Sequence, residues 1–230
     1  LIKSSAEIKL MEQAAKISAE GHRRAMAYCK PGIHEYELEA ELLYAFTRNG
    51  SRAPAYNSIV ASGDNACILH YNTNNAEVKE GDLVLIDAGC EYEHYASDIT
   101  RTFPATGKFT PEQKAIYEIV LKAQEAAIEA VQPGAQWDAP HNASVKVITQ
   151  GLVKLGLLKG RPAQLIKSEA YKDFYMHRVG HWIGMDVHDV GDYKIDDTWR
   201  ELEPGMVTTI EPGIYIAPDN NKVAKKWRGI

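Results

Sequence analysis

The chain has 230 residues, with 26 Lys and Arg against 31 Asp and Glu and a net charge of −5. That balance gives no electrostatic reason to bind nucleic acid or an anionic membrane, and no apolar run approaches the ~20 residues of a membrane span. At 25% charged and 45% hydrophobic residues, the composition is that of an ordinary globular domain with one substantial core, expected to be soluble and cytoplasmic.

Ser4 and Glu7 form a capping-box signal ahead of Ile8, Met11, Ala15 and Ala19 at helical spacing, and Pro31-Gly32 ends that helix. A second helix is expected from about Tyr36 to Asn49, with Leu38, Leu42, Ala45 and Phe46 on one face and Gly50 as its stop. Short strands are expected at Ser58–Ala61 and Cys67–Tyr71, followed by a hairpin of Leu83–Gly89 and Tyr95–Phe103. Thr110, Pro111 and Gln113 announce a third helix running to about Val131, and a fourth amphipathic segment runs from Asp138 to Leu155. Strands are expected again at His181–His188 and Met206–Ile216. Helices then strands, twice over, predict an α+β domain with an internal pseudo-repeat.

Cys29, Cys67 and Cys90 are odd in number and share no CxxC spacing, so they read as small buried fillers. Both ends look cut. The chain opens on Leu1, and nothing around Ile230 announces a terminus, so it reads as a piece of a longer polypeptide.

The chemistry concentrates in acids and imidazoles. With the hairpin turn centred between Tyr92 and Glu93, Asp87 and Asp98 would face each other directly, an unfavourable like-charge pair unless a cation lies between them. His177, His181 and His188 crowd into a segment with three glycines, a density that marks close backbone approach. Glu211 closes an apolar run before Pro212-Gly213, where a side chain can be aimed into a cleft, whereas Glu203 reads as a surface turn residue. Carboxylates mixed with imidazole favour a transition ion over Mg or Ca. His22, His34, His94 and His141 read as surface or core histidines, while His70 closes an apolar run near the hairpin and could reach the edge of a site.

Ile68-Leu69-His70-Tyr71, Asp87-Ala88-Gly89, Asp98-Ile99-Thr100-Arg101-Thr102, His181 through Asp189 and Glu211-Pro212-Gly213-Ile214-Tyr215, taken in order, resemble the catalytic domain of the aminopeptidase P family. That family stands with prolidase and methionine aminopeptidase among the pita-bread metallopeptidases. The resemblance covers essentially the whole chain and implies a pita-bread fold: pseudo-two-fold, with a curved, mostly antiparallel sheet covered by helices.

It also implies an Xaa-Pro aminopeptidase that cleaves the N-terminal Xaa-Pro bond by attack of a hydroxide bridging two metal ions. Asp87, Asp98, His181 and Glu211 would be ligands, with Asp98 bridging. The ions would be Mn2+ first, with Zn2+, Co2+ or Fe2+ as alternatives. Glu211 would move the proton, His70 and His188 would contact the substrate around the scissile bond, with His188 stabilising the tetrahedral intermediate, and His177 would line the proline side. Partners would be peptides with proline second and, in the full-length protein, further copies of itself. Against the family pattern, residues 1–230 would form a catalytic domain lacking the N-terminal domain and a second bridging glutamate beyond Ile230, so that this piece would bind metal weakly. An Xaa-Pro dipeptidase of the same fold and a non-catalytic peptide-binding module are the competing readings.

Overall fold

Helix α1 (Ser5–Tyr28) starts where its capping box predicts: the Ser4 hydroxyl accepts from Glu7 N, and the Glu7 carboxylate accepts from Ser4 N at 2.7 Å. Two amides left without helical partners are thereby satisfied. The computed structural model describes residues 1–230. The stripe that α1 buries is Met11, Ala14, Ser18, Gly21 and Ala25, rotated from the expected face, so Ala15 is exposed. Helix α2 (Glu35–Arg48) buries the expected Leu38, Leu42, Ala45 and Phe46 against it.

The short strand β1 (Ala53–Pro54) leads to β2 (Ile59–Ser62), β3 (Leu83–Asp87), β4 (Cys90–Tyr92), β5 (Tyr95–Ala96) and β6 (Thr100–Pro104). One antiparallel sheet runs β2-β3-β6 and a second runs β1-β4-β5. Ile17, Leu38, Leu42, Phe46, Val84 and Ile86 form the core between the two helices and this sheet. The expected strand at Cys67–Tyr71 is absent. Gly63–Cys67 is a 3-10 turn and His70 adopts a left-handed φ of 56°, because this apolar run lines a cavity rather than joining a ladder.

The hairpin register also corrects an expectation. Its turn residues are Glu93 and His94, both at positive φ (48° and 70°) as a two-residue primed turn requires, so Tyr92 pairs with Tyr95 and Asp87 with Thr100. Asp98 is therefore a diagonal neighbour of Asp87 on the same face, not its direct partner. The backbones come so close here that a Cβ on Gly89 would lie 1.7 Å from Ser97 O.

In the second half α3 (Pro111–Glu129) is capped by Thr110, whose hydroxyl accepts from Gln113 N while Gln113 Oε1 accepts from Thr110 N. It packs with α4 (Ala139–Lys154) around Ile116, Ile148, Leu152, Tyr175, Ile214 and Ile216. The short α5 (Pro162–Lys167) and the hairpin β7 (Lys194–Ile195) with β8 (Thr198–Trp199) carry no expected counterpart. The expected strands at 181–188 and 206–216 are irregular: a single regular bridge, Trp182 to Thr208, joins them. Thr209 N to His181 O (3.0 Å), Glu211 N to Val179 O (2.7 Å) and Ile183 N to Val207 O (3.3 Å) hold them antiparallel in one register. Thus His181 faces Thr209 with Glu211 diagonal to it, as Asp87 faces Thr100 with Asp98 diagonal. The two halves place their acidic and imidazole side chains by the same pairing rule.

Candidate metal centre

Asp98 lies where the two halves meet. Its Oδ2 is 3.1 Å from His181 Nε2, which is 3.3 Å from Glu211 Oε1, and ligand atoms of these three residues all fall within 4.8 Å of one another. Asp98 Oδ1 turns the other way, 2.9 Å from the Tyr56 hydroxyl, whose single proton is shared between it and Asp87 Oδ1 at 2.5 Å. One carboxylate thus faces Asp87 with one oxygen and the His181–Glu211 pair with the other. Gly180 allows the second pair of segments to close, since a Cβ there would be 2.0 Å from Thr209 O.

Each side chain is oriented by a second contact. His181 Nδ1 lies 2.9 Å from Trp182 O, a bond in which the ring N–H donates to the carbonyl and Nε2 is left to face the acids. Thr209 Oγ1 donates to Glu211 Oε1 at 2.9 Å and accepts from His181 N at 3.0 Å, tying the two together.

The electrostatics are those of crowded buried acid. Burial first, then the neighbouring Asp98, pushes Asp87 up to about 7, although the Tyr56 hydrogen bond pulls it down. Burial acts to lower the His181 pKa, but hydrogen bonds to Asp98 and Glu211 outweigh it and bring the imidazole to about 10. Burial and the two acids push the Tyr56 hydroxyl far up, so it donates as a neutral phenol.

The remaining predicted residues line the same cavity, of about 1030 Å³. His188 meets His181 edge to face, with ring centroids 4.2 Å apart. His177 Nδ1 donates to Arg178 O at 2.7 Å, which leaves Nε2 to accept from the Tyr215 hydroxyl at 3.0 Å. His70 enters on the exposed turn after the 3-10 segment. All seven residues therefore reach one space, but the three-residue cluster does not include Asp87, which joins it through Tyr56. Tyr56 and Tyr215 carried no role in the sequence reading; Tyr56 lies in a short loop before β2, with no neighbouring motif to single it out.

The sequence profile of metallopeptidase family M24 matches residues 9–230. The chain belongs to metallopeptidase family M24. It is 54% identical over 230 residues to an Xaa-Pro aminopeptidase of Haemophilus influenzae, covering 100% of this chain and 53% of that protein. The structure of the Pseudomonas aeruginosa aminopeptidase PepP superposes with a TM-score of 0.99 at 64% identity, covering 100% of this chain and 52% of that one. A human Xaa-Pro dipeptidase is 40% identical over 232 residues, covering 94% of this chain and 47% of that protein. The chain spans about half the length of the curated relatives it matches. The α+β architecture is the pita-bread fold shared with the aminopeptidase P structures. No helix is long and apolar enough to cross a membrane.

Proposed function

We propose that the chain is the catalytic domain of an Xaa-Pro aminopeptidase that uses two divalent cations, Mn2+ first among them, held by Asp87, Asp98, His181 and Glu211. The observation that carries this reading is the two-sided placement of Asp98 between Asp87 and the His181–Glu211 pair. The donors fit such a centre: oxygen and imidazole suit transition ions, and burial first, then the charge of Asp98, raises Asp87 in a way that a bound cation would offset. When bound, the cations would supply Lewis acidity that lowers the pKa of water and polarises the scissile carbonyl.

The chain's own residues do the rest. Glu211, held by Thr209, takes a proton from the attacking water and returns it to the leaving proline nitrogen. His188, braced against His181, donates a hydrogen bond to the developing oxyanion. His70 contacts the peptide around the scissile bond from its turn on the cavity wall, and His177, fixed by Arg178 O and Tyr215, lines the proline side.

The human dipeptidase match favours a second reading, cleavage of Xaa-Pro itself. Substrate length separates them. Incubation of the full chain with Mn2+ and Xaa-Pro-Yaa should release the first residue, with chelation abolishing turnover. Cleavage of Xaa-Pro but not the tripeptide would support the dipeptidase, and cleavage of neither, with metal bound, would support a binding module.

A further inference from the structure

Glu35 is a fully buried carboxylate that the proposed chemistry does not use. It opens α2 and reaches sideways into the segment between β2 and β3. Its Oε1 accepts from Ser62 N at 2.7 Å, Ser62 Oγ at 2.8 Å and Asn65 Nδ2 at 3.1 Å. Its Oε2 accepts from the Tyr71 hydroxyl at 2.7 Å and Ala76 N at 3.0 Å. Glu35 N in turn donates to Ala76 O at 2.9 Å, and Asn65 Nδ2 also donates to the Tyr71 hydroxyl at 3.1 Å.

Five donors on one carboxylate are far more than helix capping requires, and hydrogen bonds to a carboxylate are stronger than neutral ones. What they share is position. Ser62 and Asn65 precede the turn that carries His70, Tyr71 follows His70 directly, and Ala76 closes the segment. The residues between Cys67 and Leu83 form no helix or named strand. Asn74, bonded to Val60 N, Ser58 O and Glu39, and the bridge of Glu77 to His34 hold the far end of this segment. The Glu35 bonds to Ser62, Asn65 and Tyr71 hold the part that carries His70 on the cavity wall.

We infer that Glu35 is a positioning residue for substrate engagement: it fixes the left-handed turn at His70, so that the imidazole meets the peptide. This rests on the peptidase reading for the role of His70, but the anchoring itself does not. Glu35→Gln keeps the shape and turns one acceptor oxygen into a donor that faces donors. Tyr71→Phe removes one of the five donors to Glu35, together with the hydroxyl that accepts from Asn65 Nδ2, and guards against a folding failure of the first variant.

In the full chain, Glu35→Gln should lower kcat/KM for Xaa-Pro-Yaa by about 10²-fold, the scale of loss for a group displaced by about 1 Å. In a His70→Ala background the same change should cost less than about threefold, because residues acting through one another are not additive. Tyr71→Phe should show the same pattern more weakly. Bound metal should stay constant in all of them. An equal loss in both backgrounds, or none in either, would overturn the assignment. Amide hydrogen exchange needs no turnover: in Glu35→Gln it should rise at least about tenfold across residues 63–76 and stay unchanged in α3 and α4. Unchanged exchange in 63–76 overturns the anchoring, whereas absence of turnover in the unsubstituted protein sinks only the peptidase reading.

Discussion

At the scale of single residues, the proposed centre would set protons against cations. With no cation bound, Asp87 near 7 is about half protonated at neutral pH and His181 near 10 is protonated, and each must lose its proton to act as a ligand. Metal loading should therefore release protons, and apparent affinity should climb as pH rises from 6 to 8; calorimetry in buffers of different ionisation enthalpy reads both. An affinity flat across that range would contradict the shifts. Tyr56→Phe removes the hydrogen bond that pulls Asp87 down, so its pH midpoint for loading should move upward. Asp87, Asp98, His181 and Glu211, the proposed ligands, stand out in the sequence because each carries a donor evident from its residue type and lies in a motif of the family resemblance. Tyr56 does not, because its role exists only once Asp87 and Asp98 converge on it.

At the scale of elements, the decisive features are two close backbone approaches beside the proposed ligands. A methyl at Gly89 would overlap Ser97 O and one at Gly180 would overlap Thr209 O, at 1.7 and 2.0 Å. Gly89→Ala or Gly180→Ala should cost about 3 kcal/mol or more in urea unfolding and should reduce metal binding, since either pair of segments must part. Retention of both properties would show that these approaches are dispensable. The capped helices α1 and α3 were legible because Ser4 with Glu7 and Thr110 with Gln113 act within one turn of chain. Strands are expected at 181–188 and 206–216, but only 179–183 and 207–211 pair, and irregularly, because their register is set by contacts far apart in sequence. Cys67–Tyr71 misled for a related reason: its apolar residues face a cavity, and the Glu35 bonds that shape it come from α2.

For the whole molecule, the pita-bread fold brings two similar half-sites into one cavity, and several contacts clamp the halves together. Lys3 pairs with Asp189 at 2.9 Å, Ala96 N donates to Gly184 O at 2.8 Å, and Met11, Ala96 and Ile183 share a small core. One global property follows from His141, which burial and the nearby Arg178 lower to about 4. Its folded pKa lies below its ordinary 6.5, so the unfolded chain binds the extra proton. The stability this neutral imidazole allows is present above 6.5 and is lost as pH falls to about 4. In urea unfolding, His141→Gln should lose less stability than the unsubstituted protein across that window; parallel losses would refute the shift.

On the proposed function, Asp98 joins two half-sites around divalent cations. Anomalous diffraction from crystals of the full chain soaked in Mn2+ tests it most directly. Anomalous peaks are expected on both sides of the Asp98 carboxylate, one toward Asp87 and one toward His181 Nε2 and Glu211, at coordination distances of about 2.0–2.4 Å. Peaks elsewhere, or none at saturating Mn2+, would contradict it.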